Sequence, residues 1–285
     1  MSNYYCLVAG LPEIAFDDGK SVLTSETFRK EIYPQLTGAD RKVVDLFYLE
    51  SDNRNFFALL KNREAAIPEG EEGNFTAEDF LQLFDSVKNE EKYKGRLPLY
   101  FLKFYHYYLE QVKSGNEPVM PYMEDRLSSL YYDYCMKCGN AFARSWFEFN
   151  LNVCNIFIAS VARRYKMEVA PHVVGDTKVC DKIRKSMARD FDLSTELDYV
   201  EDVIRISETA QLTDREKKFD ILRWNWIEDN TFFEYFSLEK VLSYLLKIKI
   251  AERWNRMDKE AGRKKFREII DNLKDEVRIP DDFRK

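Results

Sequence analysis

Apolar residues that return every three to four positions constrain this chain more than any other feature. Leu97, Phe101, Phe104, Tyr108 and Val112 fall on one helical face. Leu151, Cys154, Ile158, Val161 and Tyr165 repeat the pattern, and Leu238, Val241, Leu242, Leu245 and Ile248 do so again. Punctuation is scarce: 10 glycines and 8 prolines in 285 residues, about half of average usage. That leaves little room for the closely spaced turns of a β-sandwich or barrel. The expected fold class is all-α. Further helices are expected over 40–63, 76–90, 121–148, 194–209, 214–230 and 259–276. Thr76 with Asp79, and Thr213 with Glu216, have the spacing of helix starts. Residues 4–16 instead read as a short extended, buried segment broken at Gly10 and Pro12. The segment 66–74 is the clearest exposed loop, and 114–121 and 169–176 are the next breaks.

Charge narrows the classes of partner. Lys and Arg number 44 against 50 Asp and Glu, a net charge of −6, which argues against a dedicated nucleic-acid binder. The 45% of hydrophobic residues are enough for a buried core and exclude wholesale disorder. Five cysteines, an odd number in a long chain, argue against a disulfide framework and for a reducing cytoplasm. No basic residue precedes Lys20, so the charged start of a signal peptide is missing. The longest charge-free apolar run, Phe149 to Ala162, has 14 residues and three asparagines; a membrane helix needs about 20. Any membrane role is expected to be peripheral.

Short motifs give little chemistry. Cys135-Met-Lys-Cys138 has the spacing of half a zinc site or a redox disulfide. No second CxxC or HxxxH completes it, and the surrounding pattern is helical, so half-buried structural cysteines are the stronger reading. A thiol-dependent enzyme built on this pair is the competing one. Gly19-Lys20-Ser21 ends like a phosphate loop, yet Ile14 stands where the pattern needs glycine and Asp17-Asp18 would repel phosphate. His106 lies among aromatics and reads as a core or partner-face residue; His172 is isolated. Glu110, Glu124, Asp125, Glu201 and Asp202 have no evident base or metal partner in the sequence. No catalytic residue, cofactor site or metal site is assigned. Residues 247–285 carry 13 Lys and Arg against 9 acids. Within them Arg263-Lys264-Lys265 and Arg267 could meet an acidic partner or lie towards headgroups, and they could equally be a solvated helix face.

An internal echo is more informative. Asp52-x-x-Asn55-x-Phe57 to Arg63 lies on Asn152-x-x-Asn155-x-Phe157 to Arg163 without a gap, 100 residues on. Glu239 to Ile250 fits less well, with Tyr244 in the Phe position. Each copy follows an aromatic stretch: Phe47-Tyr48, Trp146-Phe147 and Tyr235-Phe236. Unrelated amphipathic helices share identities at this level too, so both readings stand at this point.

The segment Ser237 to Arg256, with its Tyr244-Leu-Leu-Lys247 and Asn255-Arg256, resembles the C-terminal signature of the C subunit of V-type/A-type rotary ATPases, which is called the d subunit in the eukaryotic enzyme. Asp52-x-x-Asn55 to Arg63 and Asn152-x-x-Asn155 to Arg163 resemble that family's repeated helices. Tyr4-Tyr5-x-Leu7-Val8 is similar to a divergent bacterial branch of V-type ATPase-associated proteins. The chain departs from the family at Lys249 and Ala251, where acids are usual, and at Asn152 and Leu242. The resemblance implies a funnel-like single unit of three pseudo-repeated helical bundles, approximately 1–95, 96–190 and 191–285. It implies a non-catalytic socket, a monomer within its complex, with central-stalk and membrane-ring subunits as partners. The protein would then be cytoplasmic and held at the membrane through that complex. On this reading Phe57, Phe157 and Tyr244 are equivalent core positions, and Arg63, Arg163, Arg263, Lys264, Lys265 and Arg267 are partner contacts. A stand-alone soluble helical adaptor or regulator is the alternative from another class.

Overall fold

The computed structural model describes residues 4–16, 24–67, 73–115 and 119–256, and every regular element among them is helical. In chain order they are α1 (Tyr5–Ala9), α2 (Ser25–Thr27), α3 (Gly38–Leu46), α4 (Leu49–Lys61), α5 (Ala77–Lys88) and α6 (Leu99–Lys113). Then come α7 (Met120–Cys135), α8 (Ala141–Arg164), α9 (Lys178–Lys185), α10 (Val200–Ser207), α11 (Leu212–Asn230) and α12 (238–256). A π-turn, Phe28–Ile32, and a 3₁₀ turn, Tyr33–Gln35, continue α2. The chain divides into two compact units, residues 36–222 and residues 1–35 with 223–285. These limits differ from the repeat limits near 95 and 190 expected from the sequence.

The unit of residues 36–222 is built on two aromatic and aliphatic cores. Phe56 of α4, fully buried, has the rings of Phe80, Phe84, Phe101 and Phe104 at centroid distances of 5.7, 5.3, 5.1 and 5.7 Å. Most of these contacts are edge-to-face, the geometry that the ring quadrupole favours. They tie α4 to α5 and α6. Around α8, Ile156, Ala159 and Ala162 are buried, as are Cys180 and Ile183 of α9 and Val203 and Ile204 of α10. Phe147 links α8 to both α7 and the end of α3, with Tyr131 at 5.8 Å and Phe47 at 5.1 Å.

Side-chain caps explain where these helices begin. Thr37, Asn140 and Thr177 each accept a hydrogen bond from the backbone N–H three residues on. Thr76 and Asp79 form a reciprocal capping box. Caps also correct the expected boundaries. The helix expected over 40–63 is two helices, because Phe47 and Tyr48 close a turn on Val44 and Asp45. The helix expected over 121–148 ends at Cys135 and restarts after Asn140, whose amide side chain caps the 24-residue α8. The one expected over 194–209 is confined to Val200–Ser207, and residues 194–199 form turns instead, with the Glu196 and Leu197 N–H groups on the Leu193 carbonyl.

The unit of residues 1–35 and 223–285 is described by α1, α2, the second part of α11, and α12. The extended, buried N-terminal segment is not found. Tyr5–Ala9 form one short helix closed by the Gly10 N–H on Leu7 O, and only Tyr4 is buried among residues 4–16. The segment closes on itself in one helical turn, with the Leu11 N–H on the Val8 carbonyl, and Pro12 follows directly. Ser25 donates through its N–H and its hydroxyl to the carboxylate of Glu252, which ties α2 to α12. Along α12, Val241, Leu242, Leu245 and Ile248 are fully buried, as their spacing requires. The helix expected over 259–276 lies outside the described residues.

Candidate functional site

The features that sequence spacing brought forward on α4 and α8 prove to be buried polar anchors. Asp52 is fully buried in α4. Its carboxylate accepts from the Asn74 N–H at 2.8 Å, the Asn74 side-chain amide at 2.9 Å and the Phe75 N–H at 3.1 Å. Asn74 also donates to the Asp45 carbonyl at 2.8 Å. A Cβ at Gly73 would collide with the Asp52 carboxylate, so glycine permits the close approach. One helix residue thus fixes the backbone immediately ahead of the Thr76 cap of α5.

Asn155, fully buried in α8, does the corresponding work. Its Oδ1 accepts from the Val174 N–H at 2.9 Å and its Nδ2 donates to the Val174 carbonyl at 2.8 Å. The bound backbone lies just ahead of the Thr177 cap of α9. Asn152, which aligns with Asp52, donates instead to Tyr199 Oη at 3.2 Å. Burial pushes the Tyr199 phenol up to about 12. In each copy, a polar side chain in an apolar helix satisfies backbone or hydroxyl groups that burial would otherwise leave unpaired.

Arg63 stands in the turn just past α4 and Arg163 in the last turn of α8, and both lie against phenylalanine. The Arg63 guanidinium is 5.3 Å from the Phe84 ring centroid and donates to Asp85 at 3.0 Å, with its side chain about half exposed. The Arg163 guanidinium is 3.9 Å from the Phe191 centroid and donates to the carbonyls of Ser186 and Ala188 at 2.7 and 2.5 Å. Desolvation lowers the Arg163 pKa from its ordinary value. Arg163 therefore clamps the loop 186–192, including its left-handed Phe191.

The core positions differ in detail. Phe57 is buried against Phe104 at 5.5 Å. Phe157 is half-buried, with Phe219 edge-on at 5.1 Å and Arg215 at 5.4 Å. Tyr244 is buried in α12, and its hydroxyl has no hydrogen-bond partner among the described residues. Burial raises that phenol to about 12. Arg263, Lys264, Lys265, Arg267 and the segment Gly19–Ser21 lie outside the described residues.

The remaining candidates are dispersed. Cys135 is buried at the end of α7 and Cys138 half-buried in the following turn, both as free thiols. Burial raises both thiols, Cys135 well above the usual range, the opposite of what an activated thiolate needs. His106 is exposed on α6. Glu124 faces Lys61 at 3.5 Å, Glu201 faces Arg189 at 3.4 Å, and Asp202 pairs with Arg205 one turn on. Burial raises the half-buried Asp125 carboxyl, with His172 acting in the opposite direction. Among the described residues, no three His, Cys, Asp or Glu side chains converge as a metal site would require. Sequence reasoning passed over Phe232 and Phe233, which with Tyr235 are exposed in the turn 231–236, Thr-Phe-Phe-Glu-Tyr-Phe. The signal was a run of aromatics standing outside any helical period.

These features define an all-helical protein in which long helices carry buried polar anchors for the loops that follow them. The chain belongs to the family described as Protein of unknown function (DUF2764), whose model matches residues 1–277. No curated protein and no solved structure matches it. Among the described residues no helix is long and apolar enough to cross a membrane.

Proposed function

We propose that this chain is a non-catalytic socket or adaptor subunit of a V/A-type rotary ATPase, coupling the central stalk to the membrane rotor ring for ion transport. The observation that carries the reading is the correspondence between two segments 100 residues apart. Asp52 and Asn155, three positions out of the register of the alignment, each bind the loop ahead of a threonine-capped helix, and the aligned Arg63 and Arg163 each lie over a phenylalanine further along the chain. Such a correspondence fits the pseudo-repeats that the resemblance to the rotary-ATPase C subunit implies, with Tyr244 marking a third copy.

The function would be mechanical. Torque is carried by packed helices, whose interiors are dense and poorly compressible. Loops pinned by buried hydrogen bonds lose less motion under load than loops held by solvated contacts. No bond is made or broken in such a part, and it holds no cofactor or metal. It would meet the membrane only through the ring.

The test is co-purification. A tagged full chain is recovered from gently solubilised membranes of its own cells and analysed by quantitative mass spectrometry. Stalk and ring subunits in near-stoichiometric amounts are the expected result. Recovery of the chain alone, from the soluble fraction, would contradict the socket and favour a stand-alone helical adaptor.

A further inference from the structure

In the unit formed by residues 1–35 and 223–285, several aromatic side chains are exposed among the described residues. In the turn between α11 and α12, Phe232, Phe233 and Tyr235 are 69%, 80% and 65% exposed. Phe232 and Phe233 stand edge-to-face at 4.9 Å, and Phe236 is held by Tyr5 at 4.6 Å. The Tyr4 N–H donates to the Phe236 carbonyl at 2.7 Å, so the turn is anchored in place. Exposed aromatics clustered on a fixed support mark an interaction surface.

Next to this turn in the chain, the end of α11 forms one wall of an open cleft of about 760 Å³. Phe16 and Trp224 line it, their rings edge-to-face at 5.5 Å, together with Glu13, Glu228 and Asp229. Among the described residues, Glu13, Asp229 and Glu234 of the turn make no ion pair. Two residues of its lining, Trp224 and Glu228, already hold a cation. The Lys247 ammonium lies 5.0 Å from the Trp224 ring and 2.5 Å from the Glu228 carboxylate, a cation between an aromatic face and an acid. Glu13 and Asp229 add carboxylates to the same lining, and Glu234 adds one between the exposed aromatics of the turn, none with an internal cation among the described residues.

We infer that the cleft and the aromatic turn together form a docking surface for a basic amphipathic helix of a partner protein, one that alternates Lys or Arg with aliphatic residues. Aliphatic side chains would cover Phe232, Phe233 and Tyr235, and basic side chains would enter the acidic cleft. Carboxylates beside the aromatics disfavour an anionic lipid surface. A net charge of −6 on each copy disfavours self-association through this face. The inference is independent of the rotary-ATPase reading, because it fixes the chemistry of the partner and not the complex it comes from.

Photo-crosslinking tests it in the full chain. Phe233 is replaced by p-benzoylphenylalanine, the protein is expressed in its own cells, and the cross-linked peptide is sequenced by mass spectrometry. The expected product is a segment of another protein with Lys or Arg repeated at helical spacing among aliphatic residues. Its yield should fall about tenfold when Asp229→Lys and Glu234→Lys are added, and about half as far with Asp229→Asn and Glu234→Gln. The neutral pair serves if the reversal unfolds the chain. Cross-linking to lipid, to a second copy or to an acidic segment would overturn the inference. So would a yield no higher than in the dark, or one indifferent to the acidic residues. A basic segment from a protein outside the rotary ATPase would uphold the inference, with the socket reading decided separately by co-purification.

Discussion

Arg63 and Arg163 stand one hundred residues apart, each near the end of a long helix, and each lays its guanidinium over a phenylalanine in the stretch of chain that follows. Their settings differ in one respect. Arg63 also faces a carboxylate and is half exposed, whereas Arg163 is satisfied by two backbone carbonyls and is partly buried. Removal of the two should therefore have unequal effects.

Arg163→Ala should destabilise the protein by about 2–3 kcal/mol, the sum of two charged hydrogen bonds and a cation–π contact partly offset by easier solvation. Arg63→Ala should cost about 0.5–1 kcal/mol, as an exposed pair does. Arg163→Lys should recover less than half of the loss, since an ammonium lacks the planar fork that reaches both carbonyls. Urea unfolding of the three variants, read at constant slope, checks the order.

Asp52→Ala removes the acceptor for three donors of Asn74 and Phe75, and Asn155→Ala removes both partners of Val174. Each should cost about 2–4 kcal/mol, because buried backbone groups are left unpaired. Amide hydrogen exchange should speed up locally at residues 74–75 in the first variant and at 174 in the second. Global loosening without a local signal would show that these side chains do not anchor the loops.

Asp79 supplies a pH signature. Hydrogen bonds from Arg96, at 2.9 and 2.6 Å, are the largest cause holding its carboxyl down at about 2, below an ordinary value of 3.8. A depressed folded-state pKa adds stability that is full above the unfolded value and is lost as pH falls through the folded one. Wild type should therefore exceed Asp79→Asn by about 1 kcal/mol at pH 7, after allowance for the exposed Arg96. The gap should shrink between pH 4 and pH 2, traced by chemical denaturation at stepped pH.

Tyr244→Phe should be neutral or stabilising by up to about 1 kcal/mol. Its buried hydroxyl has no partner among the described residues, so deletion removes a desolvation cost and leaves the ring packed. The change also gives the position the residue found at Phe57 and Phe157. A loss of more than about 1 kcal/mol would show that the hydroxyl is bonded in solution.

Periodicity carried the all-helical fold, and in α12 every residue picked out by spacing is buried. Along α8 the spaced residues Cys154, Ile158 and Val161 are only half-buried and Tyr165 is exposed, because that helix packs chiefly through Leu151, Val153, Ile156, Ala159 and Ala162. Along α6, Phe101 and Phe104 are buried while Val112 is exposed. The Thr76–Asp79 pair was equally legible, since a capping box is local in sequence. Other features depend on contacts that spacing does not encode. The helix α9, Lys-Val-Cys-Asp-Lys-Ile-Arg-Lys, is eight residues long and mostly charged, too short for a period to show. The break at 136–140 was hidden because both flanking segments are helical. Asp52, Asn152 and Asn155 stood out as polar residues in apolar helices, yet the loops that Asp52 and Asn155 hold lie 19 to 22 residues further on. Sequence marked the anchors and left their partners unspecified.

The most direct test of the socket is coupling between hydrolysis and ion movement. Inverted membrane vesicles from cells that lack this chain are given ATP, and phosphate release and ion uptake are followed together. The account predicts that hydrolysis persists while uptake is lost, and that the purified chain restores uptake when added back. Vesicles that pump ions at the wild-type ratio without it would contradict the account.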